Sequence, residues 1–316
     1  MNRPAPSPAA QDWKQRPERS FAPVVRFMVW LSLALGRPAS RLVLYLIAAY
    51  FVVFAPAAKR ASKDYLRRVL GREATVRDGF RHVLGFASVV HDRVYWLRGR
   101  SDLFQVAISG ADQLDELMDS GRGIVFLGAH FGSFEALRAL GKRHTLDVRM
   151  LMYPDNARHV TAALAAINPD MLDRIITLGQ PDSILRVRDH LAGGGAVGIL
   201  GDRALGDDKS RPVPFLGDDK SRPVPFLGDD ALFPTGPLRL AAMLRAPVVF
   251  MAGAYLGGNR YHLSFEPVVD FAEVPVDQRE AQVNQALAQY VGLLERHCRE
   301  APYNWFNFYD FWKPAP

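Results

Sequence analysis

The chain is 316 residues long, 49% hydrophobic and 23% charged, with 39 basic against 33 acidic side chains and a formal charge of +6. Those proportions exclude a disordered tail, a collagen-like fibre and a disulfide scaffold, and the lone cysteine, Cys298, excludes an intramolecular disulfide. At this length one large α/β domain, or one domain with an appendage, fits better than two equal domains, because a single core grows to roughly 250–300 residues.

Residues 1–20 are polar and Pro-rich and read as a disordered leader. The first hundred residues hold 18 Lys/Arg against 6 Asp/Glu and the rest 21 against 27, so the N-terminal third carries +12 and the remainder −6. Within the basic third, Leu42 to Ala58 runs seventeen residues without a charge, between Arg37 and Arg41 on one side and Lys59 and Arg60 on the other. A second apolar stretch, Val24 to Gly36, is broken only by Arg26. Seventeen helical residues span about 26 Å, a little short of the roughly 30 Å hydrocarbon core of a bilayer. Residues 21–60 are therefore expected to form membrane-associated hydrophobic helices, spanning or interfacial, with a buried helix of a soluble core as the alternative. The basic flanks favour the membrane, because clustered Lys/Arg are attracted to anionic headgroups, and an acidic carrier protein would feel the same field. The apolar run begins too far into the chain, and lacks the cleavage site, for a removable signal peptide.

Arg60 to Leu97 reads as two helices broken at Gly71. From Gly110 onwards strand and helix patterns alternate. The expected strands are Ile124–Leu127, Val148–Met152, Arg174–Leu178, Ala196–Leu200, Val248–Tyr255 and Tyr261–Val268. The expected helices are Asp112–Met118, Phe134–Lys142, Ala157–Ile167, Asp182–Leu191, Thr235–Leu244 and Asp277–Arg299. That order predicts, over residues 61–316, an α/β domain with a mixed, mostly parallel sheet flanked by helices and a site at the strand ends. Between Gly206 and Leu227 the eleven residues GDDKSRPVPFL occur twice in succession. Two prolines per copy forbid a helix, and two short copies do not make a solenoid, so residues 206–227 read as a tandem duplication within a surface loop. If the extra copy crowds the cleft, deleting Gly217–Leu227 should raise activity; unchanged activity would mark a passive loop.

The strongest chemical signal is FLGAHFGSFE, Phe126 to Glu135. An apolar strand runs into a turn bearing His130, and Glu135 returns where a helix begins, close enough for its carboxylate to bond one imidazole nitrogen while the other faces the cleft as a base. Gly128 and Gly132 permit close approach of a substrate, and backbone N–H groups near Gly132 are candidate donors to an oxyanion. Spacing alone supports equally well a core histidine beside a Glu that caps a helix.

The stretch resembles the H-x4-(D/E) motif of the superfamily of glycerolipid and lipid A late acyltransferases. The resemblance implies that His130 is the general base and that Glu135 orients it. Three further segments resemble that superfamily: GILGDRALG, Gly198 to Gly206, with Asp202 and Arg203 after a strand; PFLGDDALFPTGPLRLA, Pro225 to Ala241, with Thr235 and Gly236 matching a TG pair; and the N-terminal hydrophobic helix with basic flanks. Together they cover residues from about 40 to 310. Two departures point away from lipid A itself as acceptor: Tyr153 stands before Pro154 where lipid A acyltransferases usually place Arg, and the chain closes with PYNWFNFYDFW, Pro302 to Trp312, in place of a basic tail. The aromatic ending looks more like the branch associated with aryl-polyene or xanthomonadin-type pigments.

Other features read as scaffold. The Gly-Asp-Asp triplets at Asp207, Asp218 and Asp229 are ordinary turn chemistry, so no metal is called for. Ser133 lies in FGSFE, not in G-x-S-x-G, which argues against a nucleophile elbow. Arg203 suits either an anionic headgroup or carrier phosphopantetheine, or a structural ion pair, and Asp202 is similar. Cys298 and the remaining histidines form no ligand-spaced set, and the closing aromatic run suits packing at the sheet edge or lining of an acyl groove.

The resulting expectation is a membrane-associated O-acyltransferase moving a fatty or polyene acyl group from a thioester to a hydroxyl of a membrane lipid. His130 and Glu135 would be catalytic, and Gly132, Ser133, Asp202, Arg203, Thr235 and Gly236 would bind substrate. The implied donor is acyl carrier protein in preference to acyl-CoA, with no cofactor and no nucleic acid. The implied location is the bacterial inner membrane, with the catalytic domain on the cytoplasmic side. A non-catalytic membrane-bound protein of lipid or pigment assembly, or a thioesterase or esterase, is the alternative.

Overall fold

The computed structural model describes residues 21–137, 147–152, 167–203 and 221–313. The apolar N-terminal region forms one kinked helix, α1 (Phe21–Phe54), that breaks at Gly36 with φ 73° and ψ 167°. Pro38 follows two residues later; a proline removes a backbone donor and pushes the chain before it out of helical geometry. The freed Gly36 carbonyl accepts from the Ser40 hydroxyl at 2.8 Å. The stretch Val29–Phe54 is long and apolar enough to cross a membrane by length and composition. One side of it is buried through Val29, Ser32, Ser40, Leu44 and Ala48, while Leu42, Leu46, Tyr50, Val53 and Phe54 are exposed.

The expected helix pair follows. Helix α2 (Pro56–Leu70) begins on Pro56 and ends at Gly71 in the left-handed region. Helix α3 (Val76–Leu97) opens on a capping box between Thr75 and Asp78. Then come β1 (Gln105–Ser109), α4 (Ala111–Asp119), β2 (Ile124–Gly128), β3 (Val148–Met152), β4 (Ile175–Thr177), α5 (Ser183–Ala192) and β5 (Ala196–Leu200). The chain continues through β6 (Arg222–Phe226), β7 (Asp229–Phe233), α6 (Gly236–Leu244), β8 (Pro247–Tyr255), β9 (Arg260–Asp270) and α7 (Arg279–Glu300).

Seven strands form one mixed, mostly parallel sheet in the order β1-β9-β8-β2-β5-β3-β4, in which only β8 and β9 run antiparallel to each other. Buried strands with helices on both faces read as continuous apolar runs, which is why IVFLG and AVGIL are strand sequences here. Their alternate side chains divide between two cores. Val125, Leu127, Val197 and Ile199 face α2, α5, α6 and α7; Ile124, Phe126 and Ala196 face α1, α3 and α4. Strand β1 and the hairpin β6–β7 were not among the expected strands. The expected helix Ala157–Ile167 and the Tyr153–Pro154 departure lie outside the described residues, Ile167 apart, as does the expected helix Phe134–Lys142 beyond Leu137.

The duplicated segment is more than loop. The first copy lies outside the described residues, but the end of the second, Arg222 to Leu227, forms β6 and its turn. Phe226 and Leu227 are buried, and Phe226 meets Phe233, Trp305, Phe311 and Trp312 edge-on or stacked. The Leu227–Gly228 turn has positive φ at both residues, the geometry of a tight hairpin, and the Leu227 N–H donates to Glu295 Oε2 at 2.7 Å. Because the copies are identical, removing Gly206–Leu216 or Gly217–Leu227 yields the same polypeptide, and one Arg-Pro-Val-Pro-Phe-Leu run always remains to seat the hairpin. The shortened protein is therefore expected to melt close to the parent, since the change in loop closure is worth under about 1 kcal/mol. A large drop in melting temperature would show that both copies are structural.

One of the buried helix histidines in this framework is His82 of α3. His82 places Nδ1 2.8 Å from Ser62 Oγ and Nε2 2.7 Å from the Trp305 carbonyl, a pattern that suits a neutral ring. Burial pushes its pKa down to about 4, with the carbonyl partly opposing. Its folded pKa thus lies below the unfolded value of about 6.5, so its contribution is complete above about pH 6.5 and is lost as pH falls towards 4. That contribution is about 3 kcal/mol. Melting temperature should fall across this window, and His82→Gln should flatten the slope; an unchanged slope would assign the pH dependence elsewhere.

Candidate active site

Strands β2 and β5 are parallel neighbours in register, with Gly128 opposite Leu200. Each chain leaves its strand at the carboxyl end, and two residues further on His130 and Asp202 stand opposite each other. Their side chains meet: His130 Nδ1 lies 2.8 Å from Asp202 Oδ1. Asp202 is fully buried and His130 is 27% exposed on its side chain, so the imidazole bridges a buried carboxylate and the surface.

Asp202 is surrounded by donors. The His130 N–H donates to Oδ2 at 3.0 Å, Trp305 Nε1–H at 2.9 Å and Asn307 Nδ2–H at 2.8 Å. Burial alone would push the Asp202 carboxyl up; the charge and hydrogen bonds of His130, together with Arg203, hold it at about 2. An ionised carboxylate only accepts, so His130 Nδ1 carries a proton towards Asp202, and in the neutral form of the ring the lone pair is then on Nε2. Among the described residues Nε2 has no hydrogen-bond partner. A neutral imidazole fixed in this tautomer is suited to take a proton from a hydroxyl.

The turn is clamped by the chain's end and by β8. Gly132 N–H donates to the Asn304 carbonyl at 2.8 Å, Ser133 N–H to the Gly253 carbonyl at 2.8 Å, and Phe306 N–H to the His130 carbonyl at 2.7 Å. Gly132 has φ +57°, and a Cβ there would lie 1.8 Å from the Gly253 oxygen, so only glycine fits. These bonds correct one expectation: the N–H groups of Gly132 and Ser133 are spent on holding the turn and are not presented to an oxyanion. Arg203 is exposed beside the site, with Nε donating to Asn307 Oδ1 at 2.7 Å and its guanidinium over the Tyr309 ring.

A model of the bacterial lipid A biosynthesis acyltransferases matches residues 13–223, about two thirds of the chain. The chain belongs to that family. It is an acyltransferase of lipid biosynthesis. No curated protein sequence matches it. Among solved structures it is similar to the 1-acyl-sn-glycerophosphate acyltransferase PlsC of Thermotoga maritima, at 13% identity and a TM-score of 0.35, covering 80% of this chain and 94% of that one.

Within this acyltransferase His130 is partnered differently from the expectation. The hydrogen bond expected between Glu135 and the imidazole is made by Asp202. Glu135 opens a short 3-10 turn and points the other way, with Oε1 2.6 Å from Arg93 Nε and Oε2 accepting from the Ser133 hydroxyl at 3.2 Å. The remaining expected substrate-binding residues separate. Gly132 and Arg203 lie with His130 at the surface, whereas Ser133 and Thr235 are buried to 1% or less exposure, and Gly236 is the first residue of α6. The basic flanks also divide. Arg37 and Arg41 turn inward on Asp92 of α3, while Lys59 and Arg60 are exposed.

Trp305, Asn307, Asn304 and Arg93 were not singled out in the sequence. Arg93 stands apart in the sequence, the other three lie within the closing aromatic run far from the His130 motif, and only the return of that run across the strand ends brings them there. The one available signal was the NWFN run itself, whose two amides and indole N–H are too polar for simple edge packing.

Proposed function

We propose that this family member is a membrane-associated O-acyltransferase that moves a fatty or polyene acyl group from an acyl thioester to a hydroxyl of a membrane lipid. The observation that carries the reading is the His130–Asp202 pair at 2.8 Å, at the carboxyl ends of adjacent parallel strands. His130 Nε2 removes the acceptor hydroxyl proton as the oxygen attacks the thioester carbonyl, and Asp202 balances the imidazolium. Collapse of the tetrahedral intermediate breaks the carbon–sulfur bond, and the imidazolium returns the proton to the departing thiolate. Arg203, exposed next to the pair, is the candidate to meet the oxyanion or an anionic group of the donor.

Two surfaces support the choice of substrates. The exposed apolar side of α1 suits contact with a bilayer, and Lys59, Arg60, Lys63, Arg67, Arg77 and Arg81 make the exposed face of α2 and α3 net basic, with Lys63 paired to Glu73 and Arg67 to Asp64. That face fits an acidic acyl carrier protein as donor better than coenzyme A, and a bacterial inner membrane with the domain on its cytoplasmic side supplies both substrates. The test compares lipids extracted from membranes holding wild type or His130→Asn at equal abundance, after feeding labelled fatty acid. A labelled lipid made only by wild type is expected. Identical profiles, with host acceptor and donor present, would overturn the reading, and release of free labelled acid without acceptor would indicate a thioesterase.

A further inference from the structure

We infer that Trp305 and Asn307, 103 and 105 residues downstream of Asp202, are positioning residues for acyl transfer: their N–H groups fix the Asp202 carboxylate so that one oxygen is reserved for His130. The inference rests on the acyl-transfer reading of the His130–Asp202 pair and extends it to the aromatic end of the chain.

The geometry is specific at the level of single atoms. Asp202 Oδ1 receives His130 Nδ1 at 2.8 Å, whereas Oδ2 receives three donors: the His130 backbone N–H, Trp305 Nε1–H and Asn307 Nδ2–H. A carboxylate with only one such donor could rotate about its Cβ–Cγ bond; three donors converging on Oδ2 from separate directions hold its plane. The Asn307 amide is itself oriented, because its oxygen accepts from Arg203 Nε at 2.7 Å and its nitrogen must then face Asp202. Trp305 is fully buried among Tyr65, Phe226 and Phe311, so its indole N–H is aimed by packing. The segment's backbone is tied in turn to the turn it serves. Phe306 N–H donates to the His130 carbonyl, and the Asn304 side chain both accepts from the Tyr255 N–H at 2.7 Å and donates to the Tyr255 carbonyl at 3.1 Å. Neither Trp305 nor Asn307 bonds His130 through its side chain, so each acts through Asp202.

The test uses the full-length protein in detergent, with a labelled acyl-carrier-protein thioester as donor and host membrane lipid extract as acceptor. Trp305→Phe keeps the ring packing and removes the N–H; Asn307→Asp keeps an oxygen for Arg203 while replacing the donor with a like charge. Each is expected to lower kcat about 10-fold or more with the donor KM unchanged. In an Asp202→Asn background, Asn307→Asp should cost little further activity, because the repelled carboxylate is gone, and Trp305→Phe should likewise add little. Equal fold-losses in both backgrounds, or a change in KM with kcat preserved, would reduce these residues to packing and overturn the inference. Should Trp305→Phe melt well below wild type, the Asn307→Asp cycle decides alone. If Asp202→Asn and His130→Asn themselves retain full activity, the catalytic reading falls, an outcome distinct from failure of the positioning role.

Discussion

Asp202→Asn is expected to lower kcat by about 10³–10⁴-fold, close to the loss from His130→Asn, while Glu135→Gln costs about 10-fold or less. The reason lies in the three donors on Asp202 Oδ2. An asparagine at 202 must turn its carbonyl oxygen towards those donors, which leaves its NH2 facing His130 Nδ1. The imidazole then accepts at Nδ1 and carries its proton on Nε2, the wrong tautomer for a base directed at the surface. Removing both partners should be no worse than removing His130 alone, because the two act as a unit. Glu135 engages Arg93 and Ser133, so its neutralisation disturbs an ion pair at the edge of the site and leaves the His130 tautomer intact. Steady-state kinetics on the three variants at matched melting temperature decide the matter. A Glu135→Gln loss equal to that of His130→Asn, with Asp202→Asn active, would return the orienting role to Glu135.

The sheet was legible because its inner strands are buried on both faces, and such strands write themselves as uninterrupted apolar runs: IVFLG and AVGIL were bounded to within a residue. Strands β1 and β6 were not, because QVAIS is short and half-exposed and RPVPF carries two prolines, tolerated only because its hairpin pairs along one edge. His130 and Asp202 were each visible as strand-end residues, yet their pairing depends on which strands are neighbours. Spacing favoured Glu135 because it is five residues away in sequence, but the register of β2 with β5 brings a residue 72 positions distant to hydrogen-bond distance. The Gly132 turn was unsuited to an oxyanion for a related reason: backbone N–H groups at a turn are available only if nothing else accepts them, and here Asn304 and Gly253 accept those of Gly132 and Ser133. Likewise Arg37 and Arg41 flank an apolar run as headgroup-binding residues do, but the kink at Gly36 directs them into the protein.

That inward turn sets up the second large effect, on stability. Asp92 is fully buried and receives Arg37 through two hydrogen bonds of 2.8 Å, with Arg41 3.6 Å away and Tyr261 donating at 2.8 Å. Burial would raise the Asp92 carboxyl, but its hydrogen bonds with His91, Arg37 and Tyr261 hold it below the usual carboxylate range. Arg37 is only 11% exposed, so Asp92→Ala would leave its guanidinium buried and uncompensated. Breaking such a pair from one side costs about 3–5 kcal/mol, whereas replacing both partners with apolar residues is often close to neutral. Asp92→Ala should therefore lower the melting temperature by on the order of 10 °C, and Arg37→Leu combined with Asp92→Leu should recover most of it. The pair joins the bend of α1 to α3, and Arg37 also donates to the Gly258 carbonyl beyond β8 at 2.6 Å. Its loss should accordingly expose the bend to proteolysis before the sheet unfolds. If Asp92→Ala melts like wild type, or if the double variant is as unstable as the single one, the ion pair is not what fastens the apolar helix to the catalytic domain.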